Sequence, residues 1–588
     1  MGQFAQCLKT ESEDGFIKGK YCIASLTSQF SLSKALEDNI KRANYSVAIT
    51  IRKKARNLVY MQKRDENDAA AVYQPGITWA ICLPSLCTDN DVTEIFNFIV
   101  NGSAVSCQTK DDLNPPLDTG AIISILILGF FALLLVGSTS LDLYSTFNKR
   151  EVRHVALTAF SVYSNGRKLF RISKNSGELT CLNGIRFLSM MWVIIGHIFS
   201  MVYMAPIVNF KDVMEWVESS RSMTIASGTL SVDSFFLMSG ALLVYGYFKS
   251  KHNRINFNIF QFYFHRFLRI TPALAATVLV SANLAKYMGS GPKWNYISVL
   301  EDGCKKYWWS ILTYTQNYVV SANDMCLPHT WYLCIDMQLY LISPLILIPL
   351  WKYPKLGLTM VLGSIATFVI VPFAVAYSTG IPALITNFKV DTSLIEDFYV
   401  YYYMKTHTRP APWCIGLALG YLLAKIEFEG KFTYTLNKII VVSSWVVCLV
   451  VLITCVYGGH SDLLKADYNQ LENSFYIGFV RPVWAACLAW VIFACVSGHG
   501  GPINWFLSWP VYQVLNRFTY SVYLLHYPLL QLLVFTLKTG VYFDDLSAAY
   551  LFWGITMFSF GISIIWVLAF ESPVVVIEKN TTQWCEKG

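Results

Sequence analysis

Two side chains in one apolar stretch, Arg186 and His197, could do chemistry together. They lie in Cys181–Met201, read as CLNGIRFLSMMWVIIGHIFSM. The stretch is long enough to cross a bilayer, and an ionisable group inside a span is costly unless it lines a site or pathway. Eleven residues separate the pair. Eleven helical steps of about 100° return to within about 20° of the starting direction, so the two share a face, about 16 Å apart along the axis. An imidazole titrates near neutral pH and can take a proton from a hydroxyl, which makes His197 a candidate general base. Its structural alternative is a hydrogen bond to a neighbouring helix. Arg186 reads as an anion binder or as a snorkelling interfacial anchor.

Further polar groups sit in other apolar runs. Asp233, in Val232–Gly240, could orient His197 and stabilise its imidazolium as the acid of a triad does, or could simply open a helix. Arg266 and Arg269 are three residues apart, share a helix face and could grip one phosphate group between them. Tyr263, His265 and Pro272 beside them suggest an aromatic, basic cleft. Asp336 and Gln338 fall within Trp331–Tyr340, with His329 just outside, and Tyr523 and His526 share a face of Ser521–His526. Such groups on several spans predict a polar cavity. Ser239–Gly240 reads as a point of close helix packing rather than a nucleophile. Cys334, Cys414, Cys448, Cys455, Cys487 and Cys495 lack zinc-ligand spacing and read as packing residues, so no metal site is expected.

The elements that must position these groups are membrane helices. Of 588 residues 54% are hydrophobic and only 14% charged, a composition that predicts an all-α polytopic membrane protein. We count about eleven transmembrane helices, behind a small disulfide-stapled extracellular N-terminal domain. The net charge of +8 resides in short basic segments between apolar runs, the positive-inside pattern rather than that of a nucleic-acid binder. Residues 1–117 form the head, 118–140 the first span, 141–182 a basic cytosolic linker, 183–572 the bundle and 573–588 a cytosolic tail. Later spans begin near Leu230, Ile270, Trp331, Leu356, Trp413, Ile439, Tyr476, Tyr520 and Tyr550. Lys249 to Arg269 holds five basic residues and no acidic one, a second cytosolic marker. The head is then extracellular or lumenal, in the plasma membrane or an endomembrane.

Five cysteines, Cys7, Cys22, Cys82, Cys87 and Cys107, precede the first span with two sequons, at Asn44 and Asn101. Both features indicate an oxidising compartment, and an odd count leaves one thiol unpaired. The first twenty residues carry no apolar leader. We therefore expect the displayed chain to start inside its natural head, without a signal peptide and a partner cysteine. Cys304 and Cys326 share a wide outer loop and are expected to pair. A third sequon, at Asn580, falls on the cytosolic side and is expected to be idle.

In order and spacing, Gly184-Ile185-Arg186 with His197, Asp233-Ser234-Phe235-Phe236 ending in Ser239-Gly240, Arg266-x-x-Arg269, Trp331–Tyr340 and Ser521–His526 resemble the motifs of membrane acyltransferase family 3. The resemblance covers about residues 180–572. The head, with Phe4–Cys7, Tyr21-Cys22 and Cys82–Cys87, resembles the extracellular domain of nose-resistant-to-fluoxetine-type proteins of invertebrates. The resemblance implies a cytosolic acyl-CoA co-substrate, no bound cofactor, and an acceptor hydroxyl on a lipid or another molecule in the membrane or outside it. Arg266 and Arg269 would hold the donor's phosphates, Arg186 would line its passage and His197 would activate the acceptor. Asp336 stands where the bacterial branch commonly has Glu, and Ile185 where Leu is commoner. Membrane lipids are the expected partners. The alternative is a non-enzymatic transporter of lipids or hydrophobic small molecules through the same cavity, with the head delivering cargo.

Overall fold

In lipid, backbone N–H and C=O groups have no water to bond, so long apolar runs must fold as helices. The computed structural model describes residues 4–12, 17–26, 78–100, 102–149, 155–172, 179–384, 392–429, 436–460 and 469–578. All three sequons, at Asn44, Asn101 and Asn580, lie outside the described residues.

The head is not purely helical. Helix α1 (Phe4–Lys9) and α2 (Asp89–Val100) flank an antiparallel three-stranded sheet of β1 (Gly19–Leu26), β2 (Thr78–Pro84) and β3 (Gly102–Gln108), ordered β2-β1-β3. This corrects the expectation of an all-α chain. The sheet is pinned by sulfur: Cys22 faces Cys107 across β1 and β3 and is bonded to it, and Cys7 of α1 is bonded to Cys82 of β2. Phe4, Leu8, Tyr21 and Ile23 fill the small core. Burial there pushes the Tyr21 phenol up to about 12. Of the five head cysteines, Cys87 is the free one. The expected pair Cys304–Cys326 is also bonded.

Every expected span is helical. In chain order these are α3 (Thr119–Phe147), α4 (Cys181–Val202), α5 (Leu230–His252), α6 (Ile259–Asn283), α7 (Trp331–Ile342), α8 (Pro354–Thr379), α9 (Ala411–Glu429), α10 (Lys438–Tyr457), α11 (Gln470–Val496), α12 (Thr519–Phe535) and α13 (Asp545–Trp566). Among the described residues eight helices are long and apolar enough to cross a membrane, or up to ten if each of two bent pairs is one span. The count of about eleven is thus met only in part. One bent pair joins α7 to Pro344–Lys352 at 41°, and the other joins Pro510–Asn516 to α12 at 59°; a proline opens one helix of each pair. The remaining helix, α6, carries Arg266 and Arg269 and falls outside the apolar set.

Two boundaries differ from expectation. Helix α3 continues past 140 to Phe147, where buried Asp142 accepts a hydrogen bond from Ser161 of the linker. The last helix continues past 572 to Glu578. Helices α5 and α9 approach most closely. A Cβ at Gly240 would stand 2.3 Å from the Trp413 carbonyl oxygen, and one at Gly416 2.2 Å from that of Leu237. Glycine is needed there because the two backbones touch.

Candidate functional site

His197 finds its partner on α12. Its Nδ1 lies 2.8 Å from Nε2 of His526, and the rings stack with centroids 5.1 Å apart. Proton positions follow from the next bond. His526 Nδ1 lies 2.8 Å from the Tyr523 carbonyl oxygen, and a carbonyl only accepts, so that nitrogen carries the proton. Neutral His526 then has only a lone pair on Nε2, and His197 must donate from Nδ1. The lone pair of His197 is left on Nε2, for which the described residues supply no hydrogen-bonding partner. His197 is partly exposed while His526 is fully buried. One imidazole is thus held in a fixed tautomer with its basic nitrogen free of a hydrogen-bonding partner among the described residues, as a general base requires.

His329 is 4% exposed and packs on the same cluster, 5.6 Å from His526 and 4.8 Å from Tyr527 by ring centroid. The Tyr523 hydroxyl donates to its backbone carbonyl, and Tyr527 meets His197 edge-on at 5.1 Å. His197 of α4, Tyr523, His526 and Tyr527 of α12 and His329 of the turn before α7 therefore form one packed cluster of rings.

The arginines form a second cluster, around Asp336. Arg266 pairs with Asp336, whose second oxygen accepts from Ser239 at 2.6 Å. The Arg266 guanidinium also lies 5.0 Å over the Tyr340 ring. Arg186 is within electrostatic reach of Arg266, Arg269, Tyr332 and Asp336, and Arg269 of Glu571 and Glu578. Glu571 accepts the Ser521 hydroxyl. Tyr332 and Tyr523, 5.9 Å apart, lie between the arginine and histidine ends.

Asp233 does not reach His197. Its two oxygens face Arg481 at 2.6 Å and Arg409 at 3.5 Å, and both Asp233 and Arg409 are 0% exposed. Buried this deeply, the carboxylate needs a cationic partner more than an imidazole does, and Arg481 supplies it from α11. Tyr402 accepts a second hydrogen bond from Arg481, at 2.6 Å. Gln338 is also turned away from the site. It donates to the Tyr314 carbonyl at 2.7 Å and to Asn317 at 3.0 Å, and it accepts from Thr406, which knits together the segments before α7 and α9.

The structure thus brings together His197 with His526 and Tyr523, and Arg186 with Arg266, Arg269 and Asp336. Arg409, Arg481, Glu571 and a packed role for His329 were missed in the sequence. Arg481 had a signal, because a lone arginine deep in an apolar run is a site marker by default.

An acyltransferase domain family matches residues 179–571, and the N-terminal domain of nose resistant-to-fluoxetine proteins matches residues 1–96. The chain is 28% identical over 550 residues to "Nose resistant to fluoxetine protein 6" of Caenorhabditis elegans, across 86% of this chain and 66% of the relative. It therefore spans just under two thirds of that relative's length. It is 24% identical to "Regulator of hypoxia-inducible factor 1" of the same organism, across 73% of this chain and 83% of the relative. A Bacillus subtilis protein named "Putative peptidoglycan O-acetyltransferase YrhL" is 23% identical across 52% of this chain and 44% of its own length. No solved structure matches the chain.

Proposed function

Since this chain belongs to the acyltransferase domain family and carries the N-terminal domain of nose resistant-to-fluoxetine proteins, we propose that it moves an acyl group from acyl-CoA to a hydroxyl of a lipid or other acceptor. The observation that carries this reading is the fixed tautomer of His197. Its Nε2 accepts the hydroxyl proton while the hydroxyl oxygen bonds to the thioester carbon. The tetrahedral intermediate then expels the thiolate as the C–S bond breaks, and the proton on His197 passes to sulfur. His526 holds the base by accepting from Nδ1 and stabilises the transient imidazolium, the role first expected of Asp233.

Donor binding falls to the arginine end. Arg186, Arg266 and Arg269 stand among Asp336, Glu571 and Glu578, and Arg186 and Arg269, which form no ion pair among the described residues, are the guanidinium groups left for an anionic ligand. The basic residues at that end orient it to the cytosol and His197 to the outer half of the membrane. About 16 Å of helix separates Arg186 from His197, a gap that an extended pantetheine arm spans.

The test is incubation of the purified chain with labelled acyl-CoA and a lipid extract. His197→Ala should lower the transfer rate by about 10² to 10⁴ while its thermal unfolding is unchanged. Normal transfer by a well-folded His197→Ala would overturn the reading. Movement of a hydrophobic probe across vesicles with no acyl-CoA consumed would favour the transporter instead.

A further inference from the structure

A second feature lies at the end of the bundle that carries the basic loop, apart from the histidines. A cavity of about 410 Å³ opens there, within the size range of small-molecule sites. Its walls are aromatic: Tyr247 meets Phe257 edge-on at 5.2 Å, and Phe257 meets Phe262 at 5.3 Å. Phe262 continues inward, stacked on Tyr340 at 4.2 Å, and Tyr340 lies under Arg266. One wall of this cavity is thus the back of the arginine site, and a ligand in it would be separated from Arg266 by two rings.

The rest of the lining mixes charge with amides. Lys251 and His265 enter it with Asn256 and Gln261. The one acidic residue in the lining, Glu578 from the end of the last helix, pairs with His265. Of the five basic residues from Lys249 to Arg269, Lys251 lines the cavity, beside His265, and its ammonium offers a phosphate one charged contact. A phosphate headgroup would need only that charge. Flat aromatic walls, amides that can both donate and accept, and one carboxylate acceptor suit a planar base with an exocyclic amine.

We propose that this cavity binds the adenine nucleotide of the acyl-CoA donor, with the base against Phe257 and Phe262 and a phosphate on Lys251. The inference rests on the acyl-transfer reading for its physiological ligand but not for its binding test. Two measurements decide it on the purified full chain.

The first is equilibrium binding of adenosine 3′,5′-bisphosphate, with Lys251→Gln and Phe257→Ala each expected to weaken it about tenfold or more, the scale of one lost base stack or charged contact. The second compares acetyl-CoA with S-acetyl-pantetheine, which lacks the nucleotide. The same variants should raise KM for acetyl-CoA about tenfold, with kcat within about twofold, and leave KM for S-acetyl-pantetheine unchanged. Equal effects on both donors, no nucleotide binding by wild type, or a Lys251→Gln defect seen only with vesicles of anionic phosphatidylserine would overturn the proposal. Wild type that binds the bisphosphate but turns over neither donor would sink acyl transfer and leave the nucleotide site standing.

Discussion

The residue that decides the chemistry is His526, because it sets which nitrogen of His197 is basic. Phenylalanine at 526 keeps the ring packing against Tyr527 but accepts no hydrogen bond, so His526→Phe should lower kcat by about 10²-fold with KM little changed. Glutamine can accept through its side-chain oxygen, and His526→Gln should recover part of the loss. Equal activity of the two variants would show that accepting from Nδ1 does not matter. The buried charge pair makes a different prediction. Asp233 faces two arginines, so Asp233→Asn leaves both guanidinium groups uncompensated, at a cost of about 3–5 kcal/mol. Among the described residues the nitrogens of Arg409 find no hydrogen-bonding partner, and Arg409→Met should cost much less. Thermal unfolding of the two detergent-solubilised variants checks the order, and a larger loss for Arg409→Met would contradict it.

Helices hold these residues in place by close backbone contact as much as by apolar burial. Lipid tails are as apolar as leucine, so helix association depends on small residues that let backbones meet. Gly240 and Gly416 mark such a contact between α5 and α9, and α5 also carries Asp233 and Ser239. A valine at Gly416 must push the Leu237 carbonyl away, so Gly416→Val should separate the helices and misplace both side chains. The expected result is a lower yield of monodisperse protein and a fall in unfolding temperature. Gly363 meets nothing within 4 Å, and Gly363→Ala is the matched control with no expected loss. Were the two variants equally stable, the tight packing of α5 on α9 would be refuted.

For the molecule as a whole, Asp118 is where head, first span and bundle meet. It caps α3 by accepting from the Ala121 N–H at 2.8 Å, and it takes Lys286 at 2.7 Å and Lys305 at 3.3 Å. The Tyr287 hydroxyl accepts from its backbone N–H and donates to the Pro116 carbonyl. Gln108 of β3 adds a bond to the Pro292 carbonyl at 3.0 Å. The Lys286 ammonium, then the Ala121 N–H, hold the Asp118 carboxyl well below the usual carboxylate range. A depressed folded-state pKa means that its stabilising contribution is present above the unfolded value of about 3.9 and is lost as pH falls below it. The unfolding midpoint of wild type should therefore drop more steeply between about pH 4 and pH 3 than that of Asp118→Asn. Parallel acid limbs would show that Asp118 is not the coupling point.

Much of this was legible in one dimension. Apolar runs have to become helices in lipid, so α3, α4 and α5 were fixed by composition alone. An eleven-residue spacing fixes a shared helix face, which put Arg186 and His197 on one side of α4 before any partner was known. The cysteine count foretold an unpaired head thiol, found as Cys87, and the loop pair Cys304–Cys326. Partner choice was not legible, because it depends on which helices become neighbours across hundreds of residues. From residue types alone Asp233 was the candidate to hold His197, and His526 was only a further polar group expected to line the cavity. Packing decided between them: α11 brought Arg481 to Asp233 and α12 brought His526 to His197, and a buried carboxylate goes to the cation that compensates its desolvation. The sheet in the head was hidden for a similar reason, since its strands are short, distant in sequence and pinned by disulfides rather than by an alternating apolar pattern.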